Sequence, residues 1–229
     1  MRRRHLSIAL GAPLLAGLGS LVGCATPAPE GPGLWFIFLE TGRPTPDDRE
    51  AVMAMQRGHI DNFKRLFAEG KLMAAGPMAD PSRSKRGLVL VRAATHAELM
   101  AYFQPDAYVR EGYMQVNAVP ALVRRAVYTE GIDAARVEEI RIVLIGRPPV
   151  APAAATAMAG QALLQGLVER GTVGAWYTLQ TGPVAEVLLA RSTDTAMLEA
   201  ALAPYAATGS GVTVQVWRQW ISPGVVGPR

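Results

Sequence analysis

Residues 58 to 78 read GHIDNFKRLFAEGKLMAAGPM: a helix that carries one histidine, a turn at Glu69-Gly70, and a short strand that runs into Gly76-Pro77. Just upstream, Val52 and Met55 join Phe63, Leu66 and Phe67 at intervals of three, four, seven and eight, the spacing of one apolar helix face. His59 falls inside that stripe, four residues after Met55 and four before Phe63, so its imidazole points toward whatever the helix covers. By itself this spacing describes a buried histidine held by one hydrogen bond.

Working outward, residues 34 to 39 (LWFIFL) form an uninterrupted apolar run, the pattern of a buried strand, and Gly42-Arg43-Pro44 ends it. The periodicity predicts a helix over 47 to 69 with Gly70 as its C-cap, then a strand over 72 to 76. A polar loop holding Asp80-Pro81-Ser82 leads to a strand over 87 to 92. Thr95 caps a second helix over 96 to 103, and Gln104-Pro105-Asp106 breaks it. A turn past Tyr108 and Gly112 gives a fourth strand over 113 to 119. The order β-α-β-β-α-β is the ferredoxin-like arrangement, with both helices on one face of an antiparallel sheet.

The rest of the chain repeats this order. Gly146-Arg147-Pro148 echoes Gly42-Arg43-Pro44, LVERGTV at Leu167 echoes LFAEGKL at Leu66, and Ala203-Pro204-Tyr205 stands where the first unit has Gln104-Pro105-Asp106. Strands are expected over 174 to 180 and 185 to 191, then a helix opening near Thr193. Counting between the copies puts Gly160 at the place of His59 and Tyr205 at the place of Asp106, so the second copy lacks both polar residues. The expected fold class is therefore α+β: tandem ferredoxin-like units forming an intramolecular pseudo-dimer, like a dimeric α+β barrel. The expected divisions are a leader over 1 to 24, a tether over 25 to 33, a first unit over 34 to 122, a partly helical connector over 123 to 137, a second unit over 138 to 222 and a tail over 223 to 229.

The pattern HxxxFxxLxxEGKLxxAGPM beginning at His59, followed by QPDAYVxEG at Gln104, resembles the YCII-related family of small α+β proteins. The likeness covers the whole first unit, and the second unit in layout only. It implies pairing sheet to sheet, with His59 and Asp106 as the active-site dyad. It also places Gly76-Pro77 and Gly112 at family positions. Within that family the dyad is linked to proton-transfer elimination, which implies a lyase-like enzyme here. Imidazole titrates near neutrality, and a carboxylate on one nitrogen fixes the tautomer and stabilises the protonated ring. The plain alternative for Asp106 is an N-cap of the turn at Ala107. Arg43 and Arg86 are candidates to recognise an acidic substrate at the rim, and Tyr108 joins them as a substrate-binding candidate. Rival readings are a non-catalytic lipoprotein that binds a small molecule and a structural module of the envelope.

Residues 1 to 24 read as an export leader: MRRRH, an apolar stretch from Leu6 to Val22, then Leu21-Val22-Gly23-Cys24, which resembles a lipobox. Cys24, the only cysteine, is the expected lipidation site, and a Pro/Gly-rich tether follows it. The alternatives are an ordinary signal peptide or an uncleaved helix, and Arg3-Arg4 loosely matches a twin-arginine start. The expected location is the bacterial envelope, lipid-anchored and facing the periplasm, with Ala25 favouring the outer membrane. Of the formal charge of +4, Arg2, Arg3 and Arg4 supply three, so the body is near neutral and nucleic acid is not an expected partner. Half of the residues are hydrophobic, enough for a sizeable core. His59 and His96 have no clustered partners at ligand spacing, and the glycines form no phosphate loop, so neither metal nor cofactor is expected. The expected partners are a small-molecule ligand or substrate and, through the anchor, the membrane, with a single chain supplying its own pseudo-dimer.

Overall fold

The computed structural model describes residues 33 to 207 and 211 to 227; the leader, Cys24 and the tether up to residue 32 lie outside the described residues. The elements run β1 (Gly33–Thr41), α1 (Arg49–Ala68), β2 (Leu72–Pro77), β3 (Lys85–Ala93), α2 (His96–Tyr102), α3 (Ala107–Arg110) and β4 (Met114–Arg125), then β5 (Glu138–Gly146), α4 (Ala154–Glu169), β6 (Val173–Leu179), β7 (Val184–Ala190), α5 (Thr195–Ala206) and β8 (Val214–Ile221). One antiparallel sheet of eight strands, in the order β2-β3-β1-β4-β6-β7-β5-β8, joins two ferredoxin-like halves. Its outer edges β2 and β8 meet at a bridge between Met78 and Gln219, which closes the sheet into a barrel. The fold is the expected pseudo-dimer within one chain.

Strand alternation explains the unbroken run in β1. Phe36 and Phe38 point into the barrel beside Leu90, Ile142 and Tyr177, while Ile37 and Leu39 pack under α1 and α2 with Leu66 and Leu99. Val143, Trp176 and Leu188 form the matching layer under α4 and α5. Strands covered on both faces need no polar alternation.

Three expectations change. The connector carries no helix among the described residues. Instead β4 continues to Arg125, pairing β1 up to Pro120 and β6 from Ala121 onward, because the ladder to the second half supplies hydrogen bonds that a solvated linker would lack. Residues 223 to 227 are no loose tail: Val225 and Val226 are buried, and their carbonyls accept from Tyr128 N–H and Arg191 Nε. Helix α5 runs through Pro204, whereas in the first unit the corresponding Gln104-Pro105-Asp106 follows the end of α2. On α1 the buried face is Met55, His59, Asn62 and Leu66, and Phe67 is 38% exposed, because Asn62 satisfies its amide at the neighbouring helix.

Candidate active site

Helix α1 is started by Asp48, whose carboxylate accepts from the N–H groups of Glu50 and Ala51, and it is stopped by Gly70 at φ 68°. These caps set which residues face the neighbouring helices. Asn62 donates to the carbonyl of Tyr102 at 3.0 Å, which ties α1 to the end of α2 just before the chain breaks at Pro105. The break delivers Asp106 to the N-cap of α3. There Oδ1 accepts from Tyr108 N–H at 3.0 Å while Oδ2 lies 2.5 Å from His59 Nδ1. Asp106 caps α3 and contacts His59 at once, because each oxygen has a separate partner. The carboxylate is wholly buried, and the histidine side chain is 11% exposed.

The imidazole is held by Phe63, with ring centres 4.4 Å apart, and by Tyr108 edge-on at 5.7 Å. A carboxylate only accepts, so the proton sits on Nδ1 and the Nε2 lone pair is left available. Nε2 has no hydrogen-bond partner among the described residues. His59 also lines a cleft of about 510 Å³, within the range of small-molecule sites.

The cleft exists because the two halves close differently. Residues 66 to 78 align with residues 167 to 179, which places Met78 on Leu179, Pro77 on Thr178 and Ala75 on Trp176. At the inner seam the ladder starts at Ala121 with Leu179 and continues through Leu122 with Thr178 and Val123 with Tyr177. At the outer seam Met78 pairs Gln219 and Ala79 N–H donates to the Arg218 carbonyl at 2.9 Å, but no further strand pair forms among the described residues. Pro77 has no N–H to donate, and β8 gives way after Ile221 to a turn at Ser222-Pro223-Gly224. The backbone of Trp220 presses against Gly76, where a Cβ would meet the Trp220 carbonyl. The edge of β2 therefore borders open space, walled by Phe63 and Leu72 on one side and Ile132, Ile221 and Val225 on the other.

In the second half the equivalent space is filled. Trp176 stands in place of Ala75, and its indole N–H donates to Glu186 at 2.7 Å; Glu186, paired with Thr178, stands where Gly87 pairs with Pro77. Tyr205 lies over Gly160 so closely that a Cβ there would come within 2.8 Å of its ring. Burial pushes the Glu186 carboxyl above its ordinary range, against the pull of the Trp176 and Thr178 hydrogen bonds. One half is open and carries the dyad, and the other is plugged.

Of the remaining sequence candidates, Arg86 lines the cleft. Arg43 and Tyr108 are not among its lining residues. Arg43 donates to the Glu111 carbonyl and stacks 4.1 Å above the Tyr113 ring, and the Tyr108 hydroxyl donates to the Val52 carbonyl at 3.3 Å. Tyr108 thus braces His59 from behind. His96 sits beside Trp35 away from the dyad. No group of three His, Cys, Asp or Glu side chains among the described residues is placed to hold a metal ion. Periodicity alone missed Lys64, Ala75, Gly87 and Val225 as cleft residues, although comparing Ala75 and Gly87 with Trp176 and Glu186 exposes the difference in bulk.

No family model matches the chain, and no curated protein matches it in sequence. Among solved structures, a proposed monooxygenase from Fusobacterium nucleatum subsp. nucleatum is similar at a TM-score of 0.51 and 5% identity, over 84% of this chain and 93% of that one. A heme-binding protein from Thermus thermophilus is similar at 0.49 and 11% identity, over 83% and 91%, and a proposed monooxygenase from Lactobacillus acidophilus at 0.48 and 10%, over 83% and 93%. At such identities the likeness concerns the fold alone.

Proposed function

We propose that this chain is a small-molecule enzyme of the bacterial envelope, related to the YCII-like proteins, in which His59 moves a proton in a lyase-like elimination. The observation that carries the reading is the contact of His59 Nδ1 with the buried Asp106 carboxylate, on a ring that also walls an apolar cleft. His59 Nε2 takes a proton from a carbon next to one bearing a leaving group. The C–H electron pair forms the new double bond, and the leaving group departs with its own pair. Asp106 stabilises the imidazolium, which returns its proton to water.

The test is deuterium incorporation from D2O into a panel of small carbon acids and β-halo acids, read by mass spectrometry. Exchange is expected with the wild type, and His59→Ala is expected to slow it by about 10² to 10⁴. Exchange that is indifferent to His59 across the panel, or absent, overturns proton transfer. Binding without exchange supports the second reading, a non-catalytic binding lipoprotein, which the largely apolar cleft favours. The envelope location rests on the Leu21-Val22-Gly23-Cys24 motif and Ala25 after it. Incorporation of labelled palmitate into the wild type but not into Cys24→Ser is the expected result, and equal labelling removes the anchor.

A further inference from the structure

The ionisable side chains that line the cleft are His59, Lys64 and Arg86, with no aspartate or glutamate among them. Elsewhere in the fold several cations are committed: Arg65 to Glu69, Arg141 and Arg218 to Glu139, Arg191 to the carbonyls of Gly171 and Val226. Arg86 is different. Its backbone carbonyl holds Met78 N–H at 3.0 Å, which fixes it at the outer seam, but its guanidinium has no hydrogen bond or ion pair among the described residues. Lys64 has one partner, Asp61, at 3.7 Å, and both side chains are more than 70% exposed, so that pair is weak and readily exchanged. The remaining walls are mainly apolar, with Leu39, Phe63, Leu72, Met114, Ile132 and Val225 around the space.

Arg86 and Lys64 are exposed and solvated at the mouth of the cleft, so a neutral apolar guest gains nothing from them, and a cationic guest would meet two positive charges and no carboxylate. A flat apolar body satisfies the walls, and an anionic end satisfies the cations, with a carboxylate matching the guanidinium fork. We infer that the cleft takes a small apolar or aromatic monocarboxylate, whose carboxylate is recognised by Arg86 with Lys64 in support. This rests on the cleft being the substrate site, and it adds the chemical class of the substrate.

The experiment is calorimetric titration of the full chain with three probes of similar shape: 1-naphthoate, 1-naphthamide and 1-naphthylmethylammonium. Naphthoate is expected to bind about tenfold more tightly than the amide, with the ammonium weakest, and its advantage is expected to shrink at high salt. Arg86→Gln is expected to bring naphthoate down to the amide's affinity while leaving the amide unchanged, and Arg86→Lys to keep part of the preference. Unchanged amide binding shows that the variant is folded. Equal affinities for carboxylate and amide, a preference for the ammonium, or no binding of any probe overturns the assignment. The titration involves no turnover. Carboxylate selectivity alongside a failed deuterium exchange therefore sinks proton transfer and keeps the anion site, and the reverse pattern sinks the anion site alone.

Discussion

Asp106 shows how much one buried carboxylate can organise. One oxygen caps α3 through Tyr108 N–H and the other orients His59, so a single residue fixes both the local turn and the tautomer available for chemistry. Asp80 does comparable structural work in the loop between β2 and β3. Burial pushes its carboxyl up, but the N–H of Lys85, the hydroxyls of Ser84 and Ser82 and the N–H of Ser82 together outweigh that and bring it down to about 2 from 3.8. A folded-state value below the unfolded one means the stabilisation is complete above the unfolded pKa and is lost as the pH falls through the folded one. Asp80→Asn is therefore expected to cost about 2 kcal/mol near neutrality, with the gap to wild type closing between about pH 4 and about pH 2. Urea unfolding at several pH values measures it; a gap independent of pH removes the carboxylate's role.

At the scale of elements, β2 and β6 show what small residues do. They follow homologous turns, at Gly70 with φ 68° and Gly171 with φ 73°, and both pair antiparallel with the next strand. Ala75 in β2 leaves room where Trp176 in β6 fills it. Ala75→Trp is accordingly expected to copy the plug into the first half. Naphthoate affinity should fall at least about tenfold, with the far-ultraviolet circular dichroism unchanged, because a whole indole occupies the ligand's volume while the backbone ladder stays in place. Retained binding in a folded Ala75→Trp variant would place the probe elsewhere. The new indole N–H would find Gly87 where Trp176 finds Glu186, so some loss of thermal stability accompanies it.

For the whole molecule, the two-fold likeness of the halves supplies the barrel, and its failure at one seam supplies the site. The inner seam is a ladder, whereas the outer one is a bridge beside Pro77 and the turn after Ile221, and the cleft is what that incomplete closure leaves. The sequence by itself determined the element order, the repeat and the helix face that bears His59, because periodicity, caps and glycine turns are local and act within a few residues. It also singled out His59 and Asp106, through a motif and not through spacing. Only the tertiary structure decided that Asp106 reaches His59, that Arg86 faces the cleft while Arg43 and Tyr108 are bound elsewhere, and that residues 120 to 125 and 223 to 227 belong to the folded body. Those outcomes depend on pairings between residues about 50 or more positions apart, where a hydrogen bond across the seam, and not any local preference, sets which side chains meet.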